Sequence, residues 1–146
     1  MKETSPHLLE EFDQELAIAP VSKGTRFANY LVDNICFQVL YYLVYDLWQP
    51  PRQTTAWSDR LLTDLAVSFT LYFVYYLFFE SVLKGRTPGK LVTGTVALKD
   101  NGGALTFNDV LKRSLYRLIP IEPLSIFWGE VWHDSFTNTI VTRKIK

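Results

Sequence analysis

Residues 61–83 read LLTDLAVSFTLYFVYYLFFESVL, and the centre of that run, from Leu65 to Phe79, contains no charged side chain. At about 1.5 Å of rise per residue a helix over it extends roughly 34 Å, enough to cross the hydrocarbon core of a bilayer. An earlier stretch, residues 27–48 (FANYLVDNICFQVLYYLVYDLW), has the same property. A soluble bundle would have to cover both helices on every side, and a chain of 146 residues has too few other apolar segments to do so. The sequence therefore predicts a mainly helical membrane fold built on an antiparallel transmembrane hairpin.

The connection between the runs, Gln49 to Arg60, contains Pro50, Pro51 and Ser58, a short polar turn. Tyr41, Tyr42, Tyr45, Trp48 and Trp57 gather at that end, where amphipathic rings favour the headgroup layer. Arg52 and Arg60 lie in the loop, whereas Lys23, Arg26, Lys84, Arg86 and Lys90 lie at the opposite ends of the runs. By the positive-inside bias the N-terminus is expected in the cytoplasm, with the protein multi-pass in the cell inner membrane. Residues 1–22, with Glu3, Glu10, Glu11, Asp13 and Glu15, form an acidic cytoplasmic arm instead of the basic start of a secretory signal. Residues 23–146 form the membrane domain.

Composition narrows the function classes. The chain is 48% hydrophobic and 15% aromatic, with mean hydropathy of only +0.04 because both ends are polar. Fifteen basic residues balance 15 acidic ones, which argues against a nucleic-acid partner. A single cysteine, Cys36, and two separated histidines, His7 and His133, give no disulfide and no metal-ligand spacing. No cofactor is expected. No nucleophile has an evident base, so the pattern does not point to an enzyme.

Beyond the hairpin, residues 90–106 (KLVTGTVALKDNGGALT) place β-branched residues on both sides of Asn101-Gly102, which predicts a small cytoplasmic β-hairpin. Thr106 with Asp109 then forms a helix-start signature, and a basic amphipathic interfacial helix is expected over 107–119, with Phe107, Val110, Leu111, Leu115 and Leu118 on one face. The last apolar stretch, about 120–132, is broken by Pro120, Glu122, Pro123 and Glu130, and reads as interfacial or re-entrant. Its basic tail, Arg143, Lys144 and Lys146, is then expected in the cytoplasm.

Several of these pieces together resemble the RDD family of bacterial integral membrane proteins. They are Arg26-Phe27 opening the first helix, Asp33 within it, FFE ending the second (Phe78 to Glu80), and GRTPGK (Gly85 to Lys90). NGG, Arg113 and His133-Asp134 before TNTIV follow in order. The resemblance carries the second signature aspartate to Asp134. It implies the topology; for function it implies transport of a small solute or cation, with cation/proton exchange attributed to some members.

The candidate polar cluster comprises Arg26, Asn29, Asp33, Arg113, Glu122, His133 and Asp134. Arg26 and Asp33 are seven apart and face the same side of a helix with Asn29 between them. A carboxylate at membrane depth costs about 2.5–3.5 kcal/mol on insertion scales and normally faces a protein interior or an aqueous cavity. Two readings of Asp33 follow. It is a structural acid paired with Arg113 or Arg117, or it is a protonatable or cation-binding site. Arg26 reads as an interfacial residue holding headgroup phosphates, and Glu122 with His133 and Asp134 as caps of broken helix ends. Lys84, Arg86, Lys90, Lys112 and Arg117 are expected to contact lipid headgroups. GRTPGK lacks the spacing and the hydroxyl residue of a phosphate-binding loop. Asn34 and Gln38 suit contact with a second copy, so a homo-oligomer surrounded by membrane lipids is expected. The alternative function is a membrane scaffold that binds a protein through the acidic arm.

Overall fold

The structure is a computed structural model that describes residues 19–47, 57–120, 125 and 131–143. Two long helices dominate it, α1 (Lys23–Leu47, 25 residues) and α2 (Trp57–Val82, 26 residues). Within α2, Leu61–Val82 is long and apolar enough to cross a membrane, yet only 11% of its apolar window is buried by the rest of the chain. The core helix of a soluble protein is covered by its neighbours. Here Leu62, Phe69, Val74 and Phe78 all face outward, leaving an apolar surface suited to lipid. α1 is as long, but Asn29, Asp33, Asn34 and Gln38 interrupt it. Among the described residues, α2 is the one helix that combines the length and the apolarity.

The two helices meet along a narrow aromatic seam. On α1 the buried residues Asn29, Asp33 and Phe37 recur every four positions, one stripe of a helix, while Leu31, Ile35, Val39 and Leu43 are exposed on the other side. Phe37 packs edge-on against Tyr72 and Tyr75 at centroid distances of 5.1 and 5.9 Å, and Tyr72 packs against Tyr76 at 4.9 Å. Edge-to-face packing of this kind joins the negative ring face to the positive ring edge. Asp33 lies against Tyr75, Phe37 against Tyr72, and Tyr41 to Tyr45 against Thr63 to Leu71, so the contacts run in opposite order along the two helices.

Below the seam the chain forms a compact cap. After α2, Gly85 turns the backbone at φ +84°, and its amide donates to the Glu80 carbonyl at 2.8 Å. A short helix, α3 (Pro88–Thr93), begins with Thr87 as N-cap and Pro88 in its first turn, where the missing proline N–H costs nothing, and ends at Gly94 in the left-handed region. Strand β1 (Thr95–Lys99) follows, then α4 (Phe107–Tyr116), α5 (Trp132–Ser135) and β2 (Thr139–Arg143). The helix start read from Thr106 and Asp109 is present as a reciprocal capping box.

Two sequence expectations need correction. The β-hairpin over 90–106 does not form: Lys90 to Thr93 is helical, and β1 pairs antiparallel with the distant β2, from Thr95 opposite Arg143 to Lys99 opposite Thr139. The Asn101-Gly102 pair does turn the chain, since Gly102 N–H donates to the Lys99 carbonyl at 2.8 Å. Too few residues remain before Thr106 caps α4 to make a returning strand, so the edge of β1 is taken by β2. The amphipathic helix is also rotated from its expected setting. Val110, Arg113 and Ser114 are buried whereas Phe107 and Leu115 are exposed, because Arg113 is drawn toward carboxylates inside the cap. That helix ends at Tyr116, and residues 117–120 are turns.

The interior of the last apolar stretch lies outside the described residues, as do the arm over 1–18, the connection over 48–56, Glu122, Lys144 and Lys146. Its flanks come together, however: the rings of Tyr116 and Phe136 stack at 5.1 Å.

Gly89 shows how closely α3 approaches α1. A Cβ there would lie 2.2 Å from the Asn29 carbonyl oxygen and 3.0 Å from the Asp33 carboxyl carbon. Gly89→Ala is expected to destabilise the fold by about 1–3 kcal/mol, the usual cost of overpacking. Gly24→Ala, where the nearest atom is 3.9 Å away, is expected to be neutral or stabilising. Thermal unfolding in detergent micelles checks both; equal losses would contradict the close approach.

Candidate functional site

The cap encloses a chain of ion pairs centred on Arg113, whose side chain is fully buried. Its Nε donates to Glu80 Oε2 at 3.0 Å, and its Nη1 donates to Asp134 Oδ1 and to Thr139 Oγ1. One guanidinium on α4 thus joins α2, α5 and β2. Planar forked donors suit this task, since a lysine ammonium lacks the fixed fork. Asp134 Oδ2 in turn accepts from Arg26 Nη1 of α1 at 2.9 Å. Glu80 Oε1 accepts from Lys90 Nζ of α3 at 2.6 Å and from Arg117 Nη2 at 3.1 Å. The Arg117 guanidinium also lies 4.3 Å from the Tyr76 ring centre, a cation–π contact.

Asp33 lies beside this chain but is held differently. Its Oδ2 accepts from the Thr87 hydroxyl at 2.5 Å, and its Oδ1 from the Gly89 amide at 2.7 Å and, weakly, from the Tyr75 hydroxyl at 3.4 Å. The carboxylate of α1 therefore caps the start of α3 through neutral donors rather than pairing with Arg113 or Arg117, as the structural reading of the sequence expected. Asn29, one turn earlier, donates to Thr95 Oγ1 at 3.1 Å and accepts from Thr93.

Of the residues singled out in the sequence, Arg26, Asn29, Asp33, Arg113, His133 and Asp134 converge. Arg26 reaches Asp134 instead of projecting into a headgroup layer. Lys90 and Arg117, expected at the lipid surface, are turned inward onto Glu80, while Lys84 and Lys112 are exposed and Arg86 is half-buried. Glu80 is the residue that sequence reasoning passed over except as part of FFE. An acid closing a charge-free apolar run needs buried partners for the same reason as Asp33, and that signal was present. Among the described residues no three potential metal ligands cluster.

Burial lowers the Lys90 ammonium to about 8, with Glu80 opposing the fall and Arg113 and Arg117 adding to it. Burial is also the largest influence on Arg113, but Glu80 and Asp134 outweigh it and hold the guanidinium charged. His133, 3.5 Å from Asp134 Oδ1, is pushed well below the usual imidazole range by burial and by the surrounding Arg117, Arg113, Lys90 and Arg26. It is neutral at pH 7.

A small cavity of about 40 Å³ opens in this cluster, lined by Arg26, Asn29, Asp33, Lys90, Arg117 and His133 together with Asp134 and Tyr30. Val131 and Val141 complete the lining, and the space holds a few waters beside the charged head groups.

Replacing Arg113 by Met leaves Glu80 and Asp134 short of a partner and is expected to cost about 3–5 kcal/mol, the penalty for breaking a buried pair from one side. The pH dependence has a definite sign. Lys90 takes up a proton near 8 when folded and near its ordinary 10.5 when unfolded, so between those values the unfolded chain binds more protons. Stability on its account rises across that window. His133 acts likewise at lower pH: its folded value is depressed, so stability falls as pH drops through the ordinary 6.5. Unfolding midpoints from pH 5 to 10.5 check both, and a Lys90→Met variant is expected to lose the alkaline rise.

Comparison with known proteins bears on the same residues. No curated protein and no solved structure matches the chain. The RDD family profile matches residues 20–140, from just before α1 into β2, which takes in Arg26, Asp33, Glu80, Arg113 and Asp134. Together with the uncovered apolar helix this makes the chain a membrane protein, and it belongs to the RDD family.

Proposed function

We propose that the protein spans the cell inner membrane twice, through α1 and α2, and transports a small solute or cation as a homo-oligomer. The supporting topology is physical. α1 begins and α2 ends at the charged cap, and Lys23, Arg26, Lys84, Arg86 and Lys90 all lie at that end. Basic residues are retained on the cytoplasmic side, a bias that supports an N-terminus inside. The Val21 amide donates to the Val141 carbonyl at 2.9 Å, so the C-terminal strand lies at the same level as the start of α1. A C-terminal alkaline phosphatase fusion is expected to be inactive and a C-terminal green fluorescent fusion bright; the reverse would overturn this topology.

The observation that carries the transport reading is Asp33, an acid on a spanning helix that lines the cavity in the cap. Acids so placed commonly mark ion and solute paths. Above the cavity Phe37, Tyr75 and Tyr76 fill the space between α1 and α2, so passage requires a second copy or parting of this seam. Gln38, an exposed amide within the α1 run, suits a contact between copies, because an amide in hydrocarbon gains from any partner. The exposed apolar faces of α1 and α2 are then shared between lipid and neighbour.

Flux into proteoliposomes tests the reading. Asp33→Asn keeps an oxygen for the Gly89 amide and turns its NH2 to the Thr87 hydroxyl, which then accepts instead of donating, so the variant is expected to fold and to lose flux at least tenfold. Full flux with reduced stability would make Asp33 a strut. Absence of movement for every ion and solute tried with the unmodified chain would favour the scaffold, in which the ion pairs only stiffen the cap.

A further inference from the structure

A second hollow lies at the far end of the helix pair from the cap, toward Leu47 of α1 and Trp57 of α2. Tyr41, Val44 and Tyr45 of α1 and Asp64, Val67 and Leu71 of α2 line it, and its volume is about 100 Å³, room for several waters or one compact organic group. The rings of Tyr41 and Tyr45 are near-parallel, 24° apart with their centres at 6.0 Å, and Tyr42 meets Tyr41 edge-on at 6.1 Å. Asp64 stands at the end of the charge-free run that begins at Leu65, and its charge acts on the Tyr41 phenol across the hollow. It follows Trp57 by seven residues of α2, about 10 Å at 1.5 Å per residue, which sets it deeper than the aromatic belt of the headgroup layer. An acid at that depth calls for a partner.

We infer that this hollow binds a small alkylated ammonium ion, of the tetramethylammonium or choline class, with its charge toward Asp64 and its methyl groups on the rings of Tyr41 and Tyr45. Each part of the lining selects for that chemistry. The carboxylate attracts a cation, and aromatic walls are the usual receptor for quaternary ammonium groups. An inorganic ion would need several oxygens in place of its water shell, whereas apart from Asp64, Thr63 and the two phenols the wall is the carbon of Val44, Val67 and Leu71. A quaternary ammonium carries its charge under methyl groups, which lose little by leaving water and gain by packing on that carbon.

The occupant is a free cation rather than a lipid headgroup. In a lipid the ammonium is two carbons from a phosphate, and among the described residues that line the hollow none is basic to receive one. The phosphate would share the space with Asp64 instead. The hollow is also separate from the cavity in the cap: Arg26 and Glu80 lie at the opposite ends of the two helices, and the packed rings of Phe37, Tyr72 and Tyr75 stand between. Binding here is therefore independent of the transport reading. With the cap in the cytoplasm, as proposed above, this end faces outside and the ion arrives from there.

Calorimetric titration of tetramethylammonium chloride into the full chain in maltoside micelles, at ionic strength held constant with sodium chloride, tests the site. Saturable binding is expected, with choline competing for it. Asp64→Asn is expected to weaken binding at least about tenfold, the loss of one charge contact at short range. Tyr41→Leu and Tyr45→Leu are each expected to weaken it several-fold, and Tyr45→Phe to keep most of the affinity because the ring face remains. The neutral carbon analogue of choline, with a tert-butyl group in place of trimethylammonium, tests the role of charge on the unmodified chain, whatever the folding of the variants. Equal affinity for that analogue would overturn the inference, as would undiminished binding by a folded Asp64→Asn. Absence of saturable binding by the unmodified chain would also overturn it, and would leave Arg60, four residues earlier, as the cation for Asp64. Binding of spin-labelled phosphatidylcholine at these residues in place of the free ion would assign the hollow to lipid and overturn it too. Ammonium binding by a chain that moves no solute in proteoliposomes would support the site and reject transport; flux of a solute with no ammonium binding would do the opposite.

Discussion

Everything in the cap depends on Arg113 being shared. A guanidinium taken wholly out of water needs acceptors on more than one side, and here they come from α2 through Glu80, from α5 through Asp134 and from β2 through Thr139. Each carboxylate, once buried, needs further cations of its own, which brings in Lys90, Arg117 and Arg26. The pairs are therefore one cooperative unit rather than separate bridges. Its worth lies less in net stability, for which buried ion pairs are poor contributors, than in fixing which surfaces meet.

The backbone meets the same constraint with small residues. Gly89 lets α3 lie against α1, where its amide reaches Asp33, and Gly85 lets the turn after α2 approach the Ala97 carbonyl, from which an added Cβ would be only 2.4 Å away. The Gly85 carbonyl accepts from the Ala97 amide at 2.9 Å. The GRTPGK segment, which carries no nucleotide-binding logic, is thus the joint between the helical pair and the cap. Its threonine caps α3 and donates to Asp33, its glycines permit the contacts, and its lysine enters the ion-pair chain.

Placing a chain of ion pairs and a small cavity at the foot of an aromatic seam divides the molecule by chemistry. The seam of Phe37, Tyr72, Tyr75 and Tyr76 is packed aromatic rings, whereas the cap holds an ion-pair chain and two groups, Lys90 and His133, whose burial shifts their proton affinity downward.

By itself the sequence determined the parts that depend on short-range periodicity and composition. These were the apolar run of α2, the length of α1, the polar stripe of Arg26, Asn29 and Asp33, the capping box at Thr106 and the turn at Asn101-Gly102. The joint order of its motifs also identified the family. Only the tertiary structure decided the partners. Whether β1 pairs with its neighbour or with a strand forty residues later, and whether Asp33 meets an arginine or a helix start, depend on which side chains folding brings within about 3 Å. The same is true of Lys90, which turns inward to Glu80 rather than outward to lipid. Local pattern sets the face of a helix but not what lies opposite, because a buried charge selects its partner by proximity and desolvation across the whole fold.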